Sequence, residues 1–392
     1  MPEVEVVVLA GARTPQGRLL GQLSPFSAVE LGAHAIRHAI SRAGINPHDV
    51  DQVLMGQVIQ AGCGQNPAKQ AAVAAGLPMS VPAATTNKVC LSGLDTVVQA
   101  ARLLRLGVAK VVVAGGQESM TRAPHLARVR GGVKYGSTGL DDTLAVDGLD
   151  DAEHGISMGE LTENGNAERG LGREEQDAVA LSSHLRAAAA QHDGRLAAEI
   201  APITHTDRRG TRTLEHDEGI RGDSSPESLG RLRPAFAREG TITAGNSSPI
   251  SDGAAALVLT TREHAEARGW NWLCVVGADG QVAGPDTQLH EQPAAAIRAA
   301  LDADGTELTA LDFIEVNEAF AAVAISTTRA LGYPLERTNP TGGAIALGHP
   351  VGASGARVVL TAALELQRRG TGTAAVSLCG GGGQGEALLL RR

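Results

Sequence analysis

The strongest constraint on this chain is that its two ends resemble each other. Asp51-Gln-Val-Leu-Met-Gly56, a helix-like segment and Ala75-Gly76-Leu77-Pro78 are matched in order by Asp312-Phe-Ile-Glu-Val-Asn317, a helix-like segment and Leu331-Gly332-Tyr333-Pro334. The order continues. Ser92-Gly93, a helix, Gly107 and Val111-Val-Val-Ala-Gly-Gly116 have counterparts in Ser354-Gly355, a helix, Gly370 and Ala374-Ala-Val-Ser-Leu-Cys-Gly380. The match is low in identity but ordered over roughly 65 to 70 residues per half, which duplication explains most simply. In both halves apolar runs ending in glycine alternate with amphipathic or Ala-rich stretches, the signature of an α/β architecture. Residues 6–10, 53–56 and 111–116 read as strands. Leu94, Val97, Val98, Ala101 and Leu104 recur at helical spacing between Ser92 and Gly107, predicting a helix over 93–106.

Between the halves the pattern breaks. Gly131-Gly132, the acidic residues between 141 and 151 and Arg208-Arg209-Gly210 interrupt any long periodicity, and one helix is expected over 173–191. The expected organisation is therefore a first half built from 1–119 plus 249–271, an inserted loop domain over 120–248, and a second half over 272–392. Such loop regions carried on a rigid scaffold are where binding residues concentrate.

Composition removes several functions. Lys plus Arg total 34 against 43 Asp plus Glu, so no basic surplus exists to neutralise a nucleic-acid backbone. No stretch approaches the roughly 18 apolar residues of a membrane span. The N-terminal stretch is acidic and strand-like, without the positive n-region of a signal peptide, so a cytoplasmic location with reduced thiols is expected. Cys63, Cys90, Cys274 and Cys379 form no CxxC pair and no zinc-ligand spacing, so no metal is expected and any importance of the thiols is chemical.

Four places can carry chemistry. Cys90, in Asn87-Lys-Val-Cys90-Leu-Ser-Gly93, precedes a predicted helix, where unpaired N–H groups favour a thiolate and hence a nucleophile; a small buried hydrophobe is the alternative. His349 lies at the centre of the stretch 339–355, held by Pro350 and flanking glycines, either as a proton shuttle or as an incidental loop residue. Cys379 is followed by four glycines at a strand end, where bare N–H groups can face an oxyanion or simply form a flexible turn. Asn317, in Val316-Asn317-Glu318-Ala319-Phe320, offers an amide for a water or oxyanion, or caps the following helix.

Together these motifs resemble the thiolase family, the CoA-dependent acyltransferases that make or cleave 3-ketoacyl-CoA. The resemblance runs the length of the chain, including Gly11-Ala-Arg-Thr-Pro15, Gly116-Gln-Glu-Ser-Met120 and the glycine-rich segments 342–355 and 379–385. It implies a thiolase-like fold, two duplicated α/β/α halves forming a layered αβαβα core with an inserted CoA-binding loop domain. It also implies roles. Cys90 attacks the thioester while His349 takes its proton, and Cys379 serves as acid or base on the α-carbon of a second acetyl-CoA. His349 with a water held by Asn317 faces the enolate, and the N–H groups of Cys90 and Gly381 face the tetrahedral intermediate. Arg221 would lie near the CoA nucleotide, Phe236, Ala244 and Ser248 along the pantetheine, and Leu149, Met158 and Phe320 complete the CoA-contacting set. CoA, acetyl-CoA and acetoacetyl-CoA are implied as substrates, with no permanently bound cofactor, and residues 128–136 resemble a loop that joins dimers into a homotetramer. One departure stands out: Ser157 occupies the place where short-chain biosynthetic members usually carry histidine. A broad-range degradative 3-ketoacyl-CoA thiolase is therefore the main rival to an acetoacetyl-CoA enzyme. A ketoacyl synthase would need a second histidine where Asn317 stands, and a non-catalytic lipid carrier has no use for all four catalytic positions.

Overall fold

The computed structural model describes residues 4–208 and 210–392; residues 1–3 of the N-terminal stretch, and Arg209 of the Arg208-Arg209-Gly210 interruption, lie outside the described residues. The repeat is visible in the order of strands. The first half contributes β1 (Val6–Arg13), β2 (Gln52–Gly56), β3 (Ala83–Thr86), β4 (Val111–Ser119) and β5 (Ser251–Thr261). The second contributes β6 (Cys274–Ala283), β7 (Phe313–Val316), β8 (Thr373–Gly380) and β9 (Gln384–Arg391). They pair in the order β7-β8-β9-β6-β1-β5-β4-β2-β3. Counted outward from the central β6–β1 pair, the two sides match, and Thr338 bridges Ile314 in parallel where the second half lacks a full counterpart of β3. In both halves the inner pairs are antiparallel and the outer ones parallel.

The helices used below are α1 (Ala28–Ala43), α2 (Pro67–Ala74), α3 (Ser92–Arg105), α4 (Met158–Asn166), α5 (Arg173–His192), α6 (Gln292–Asp304), α7 (Ala321–Leu331) and α8 (Ser354–Arg369). Strand alternation sorts them into layers. On β1, Val6 and Val8 join the central core with Leu94 and Val97 of α3, Val358 and Leu366 of α8, and Phe313, Val376 and Leu388 of the second half. Val7 and Leu9 face the opposite way, onto α1 and α2. Ile314, Val316 and Leu389 turn outward onto Ile297 and Leu301 of α6. The result is the expected α-β-α-β-α stack, with α3 and α8 at its centre.

These two helices meet near their N-termini, and glycine makes the meeting possible. A Cβ on Gly355 would lie 2.1 Å from the Leu94 nitrogen, and one on Gly93 2.8 Å from the Ala356 nitrogen. That is why Ser-Gly appears at the same place in each half.

The expected elements are present with shifted ends. β4 runs to Ser119 rather than stopping at Gly116, because Gln117, Glu118 and Ser119 pair with Ala254, Gly253 and Asp252 of β5 and are buried despite their polarity. The chain leaves the sheet after Ser119 and returns at Ser251. The intervening region is tied back by charge as well as by packing: buried Arg13 donates to Asp217 at 2.7 and 2.9 Å and to Glu199 at 2.8 Å. Among the described residues no helix is long and apolar enough to cross a membrane.

Candidate active site

The loops preceding α3 and α8 open into one cavity of about 200 Å³. In the first loop Val89 has φ of 51°, a left-handed conformation that a β-branched side chain adopts only under constraint. The constraint is local. Asn87 Oδ1 accepts from the Val89 N–H at 3.0 Å, the Lys88 N–H donates to Ser92 Oγ at 2.8 Å, and that hydroxyl donates to the Val89 carbonyl at 2.6 Å. The turn sets Cys90 into the cavity wall, partly buried.

His349 enters from the second loop. Its N–H donates to Ser251 Oγ at 3.2 Å, and its Nδ1 lies 2.6 Å from Ser354 Oγ. Because the Ser354 hydroxyl donates to the Pro350 carbonyl at 3.0 Å, its oxygen is left to accept from Nδ1–H. This assigns the tautomer and leaves Nε2 with a free lone pair. The Asn317 amide nitrogen lies 3.4 Å from that Nε2 and 3.5 Å from Nδ1. Asn317 follows the end of β7, where its own N–H donates to Ser377 O on β8 at 3.0 Å. Cys379, 1 % exposed, stands near the end of β8 opposite Gly385. The turn after it reverses through Gly381, Gly382 (φ 75°) and Gly383 (φ 63°), conformations that favour glycine.

Electrostatics correct one expectation. Burial pushes the Cys90 thiol up to about 11, and the Gly381 and Cys90 N–H groups facing the sulfur only partly oppose it. The helix-terminus argument thus loses to desolvation, and the resting group is a thiol that needs a base. Burial also raises Cys379, further still because of Cys90 beside it. The base is available: burial, helped by the Arg357 charge, lowers His349 to about 3, so the imidazole is neutral.

The structure brings Leu149, Met158, Phe236, Ser248, Phe320, Cys90, His349, Cys379 and Gly381 to this one cavity, with Leu289 and Ile250 closing it. The Phe236 and Phe320 rings meet edge to face at 6.2 Å. Ser157 lines the cavity too, with its hydroxyl engaged in accepting from the Glu160 N–H as the cap of α4. Arg221 and Ala244 line a neighbouring cavity of about 230 Å³ instead, on the other side of the segment 244–249. Cys63 and Cys274 lie elsewhere, the latter in the central core.

Sequence reasoning did not single out four of the residues that shape these sites. Ser354 holds the His349 ring. Glu118 accepts from the N–H groups of Val58, Ile59 and Gly352 at 2.8, 3.2 and 3.0 Å, joining the end of β4 to the loop after His349. Arg18 and His184 line the second cavity with Arg221, whose N–H donates to His184 Nδ1 at 3.2 Å. Ser354 and Glu118 sit in quoted motifs, so their places there were usable signals; Arg18 and His184 are brought in by distant segments.

A duplicated five-layer fold with two cysteines, a neutral histidine and an asparagine at the junction of its halves defines a thiolase, and the chain belongs to the thiolase family of acyltransferase enzymes. Family models for the thiolase N-terminal and C-terminal domains match residues 6–263 and 270–392. A probable acetyl-CoA acetyltransferase of Mycolicibacterium smegmatis is 52% identical over 388 residues, covering 98% of this chain and 100% of that protein. An acetyl-CoA acetyltransferase of Chromobacterium violaceum is 45% identical, covering 99% and 100%. The crystal structure of the Bacillus anthracis acetyl-CoA acetyltransferase superposes with a TM-score of 0.96 at 38% identity over 99% of both chains.

Proposed function

We propose that this protein condenses two acetyl-CoA molecules reversibly to acetoacetyl-CoA and CoA through an acyl-Cys90 intermediate. The observation that carries this reading is the convergence of Cys90, Cys379 and His349 on one small, mainly apolar cavity. In the first half-reaction Cys90 Sγ attacks the thioester carbonyl and its proton passes to His349 Nε2. The tetrahedral oxyanion is held by the N–H groups of Cys90 and Gly381, and CoA leaves with the proton returned from His349. In the second, Cys379 gives its thiol proton to the neutral His349 Nε2 and, as the thiolate, removes a proton from the α-carbon of another acetyl-CoA. The resulting enolate, stabilised at its oxygen by the protonated His349 Nε2 and by a water held by Asn317, attacks the acyl carbon, and the Cys90 sulfur departs and takes its proton back from His349. The reverse sequence is thiolysis.

The region 120–248 acts as the CoA-binding domain. Phe236 and Ser248 flank the pantetheine in the first cavity, with Leu149, Met158 and Phe320 around the thioester. The nucleotide lies in the second cavity against Arg221 and Ala244, with Arg18 contributing a further positive charge. Neither Arg18 nor Arg221 has an ion-pair partner among the described residues, which leaves both for phosphate. CoA and acyl-CoA enter as substrates and no cofactor stays bound; the enzyme works in the cytoplasm. Fully exposed Tyr135, with exposed Val129 and Val133, supports assembly into a homotetramer through residues 128–136.

The rival reading, a broad-range degradative thiolase, draws on Ser157 in place of histidine. Comparing kcat/KM for thiolysis across 3-ketoacyl-CoA chain lengths decides between them. Acetoacetyl-CoA is expected to be the best substrate, and a preference for C8 or longer sinks the short-chain assignment.

A further inference from the structure

Besides the hydrogen-bonded Arg13 cluster, the chemistry above leaves a second buried acid–base pair unused. Arg357 on α8 and Glu315 on β7 are 1% and 0% exposed, with Nη1 3.8 Å from Oε2. None of the three guanidinium nitrogens or the two carboxylate oxygens has a hydrogen-bond partner among the described residues. Burial pushes the Glu315 carboxyl up to about 8 and the Arg357 guanidinium down, each only partly opposed by the other, and an apolar pair of similar volume often holds a core equally well. Stability is therefore a poor reason for the pair.

Its place in the fold supplies a better one. Residues two apart on a strand share a face, so Phe313 and Glu315 point the same way, and Asn317 follows just past the strand end, still tied to β8 through Ser377 O. Phe313 belongs to the central core with the apolar side chains of α8, whereas Ile314 and Val316 face α6. On α8, Arg357 lies three residues past Ser354, on the same helix face, and Ser354 is the residue that holds His349 Nδ1. Glu315–Arg357 and Asn317–His349 thus link the same strand to the same helix and its leading loop, one step apart.

We propose that Arg357 and Glu315 are positioning residues that brace β7 against α8 and so hold the Asn317 amide at the His349 ring. The proposal rests on the thiolase reading of His349 and Asn317 given above. The guanidinium has a second effect, because its charge adds to burial in keeping the ring neutral. The titratable and charged groups around this region are Cys90 before α3, Cys379 on β8, Glu118 at the end of β4, Arg357 on α8, and Glu315 and Glu318 from β7 and the loop after it. Glu199 and Arg13 also act on Arg357.

The test is the pH dependence of kcat and KM for acetoacetyl-CoA thiolysis by the full-length Arg357→Met/Glu315→Leu double variant, which removes both ionisable groups together. The expected result is a retained Tm, KM for CoA within about twofold, and kcat lower by on the order of 10- to 100-fold. The acid limb of kcat should move to higher pH, since loss of a neighbouring cation makes the imidazole easier to protonate. Wild-type kcat with an unmoved acid limb overturns the proposal. So does a fall in kcat matched by a rise in KM and a lower Tm, the mark of general loosening. If the double variant does not fold, Arg357→Lys keeps the charge without the planar fork. A several-fold lower kcat with the acid limb in place then supports the proposal, and wild-type kcat rejects it. His349→Ala separates this idea from its parent. Unchanged acetylation of Cys90 by acetyl-CoA in that variant defeats the reading of the site. Lost acetylation there, with wild-type behaviour of the pair variants, defeats the positioning role alone.

Discussion

Between β4 and β5 the first half departs through residues 120–250, whereas between β8 and β9 the second half makes the same step with Gly381-Gly382-Gly383. The scaffold on either side is alike in strand order and in the helix that crosses at its centre. Duplication alone would give two equivalent openings. The unequal loops give one: the excursion supplies the cavity walls and the second, arginine-lined cavity, while the glycine turn brings a backbone N–H to the Cys90 sulfur. The loops before the central helices differ as well, with a thiol in the first half and an imidazole in the second. A symmetric scaffold thus holds an asymmetric set of chemical groups.

The two halves should differ most at Cys90, the proposed nucleophile. Cys90→Ala should leave no acyl-enzyme detectable by mass spectrometry after acetyl-CoA is added and lower kcat by on the order of 10⁵-fold or more. Acetylation of that variant at another residue would move the nucleophile elsewhere. Cys379→Ala should separate the two halves' duties. Cys90 should still be acetylated, but condensation should fall by about 10²- to 10⁴-fold, measured as acetoacetyl-CoA formed per acetylated enzyme. Failure of acetylation in this variant would mean that both cysteines serve one step.

The shared scaffold can be tested by packing. Gly355→Val places atoms against the Leu94 backbone nitrogen, so a loss of stability of at least about 2 kcal/mol is expected in denaturant unfolding. A variant as stable as the wild type would show that α3 and α8 can separate without cost.

The excursion's part should appear in KM. Arg221→Ala should raise KM for CoA by about 10-fold with kcat little changed, and leave an acyl-pantetheine thioester unaffected. An equal effect on both substrates would take Arg221 away from the nucleotide.

The smallest effect concerns pH. Burial lowers His184 and His290 to about 4 and His349 to about 3, below the usual 6.5. Their contribution to stability is present above pH 6.5 and is lost as pH falls toward 4 and 3, because the unfolded chain takes up protons that the folded one refuses. Each group contributes up to about 1 kcal/mol per pH unit in that window. Tm should therefore drop below pH 6.5, and less in His290→Gln; an identical acid profile in the two proteins would remove His290 from the account.

Local spacing and residue type were enough to read the duplication, the α/β class and the helices after Cys90 and before Gly370, and to single out Cys90, Asn317, His349 and Cys379 as candidates. Such reading placed the C-terminal end of β4 too early, since the burial of Gln117 and Glu118 comes from β5, more than a hundred residues away. It also predicted an activated thiolate where the fold holds a thiol beside a neutral histidine. That reversal is a matter of solvent: the helix terminus is written locally, but the removal of water from Cys90 and His349 is done by segments from both halves and from the excursion between them. Ser354, Arg18 and the Arg357–Glu315 pair are of the same kind. Each acquires its meaning from what lies opposite it, and only the tertiary structure brings those partners together.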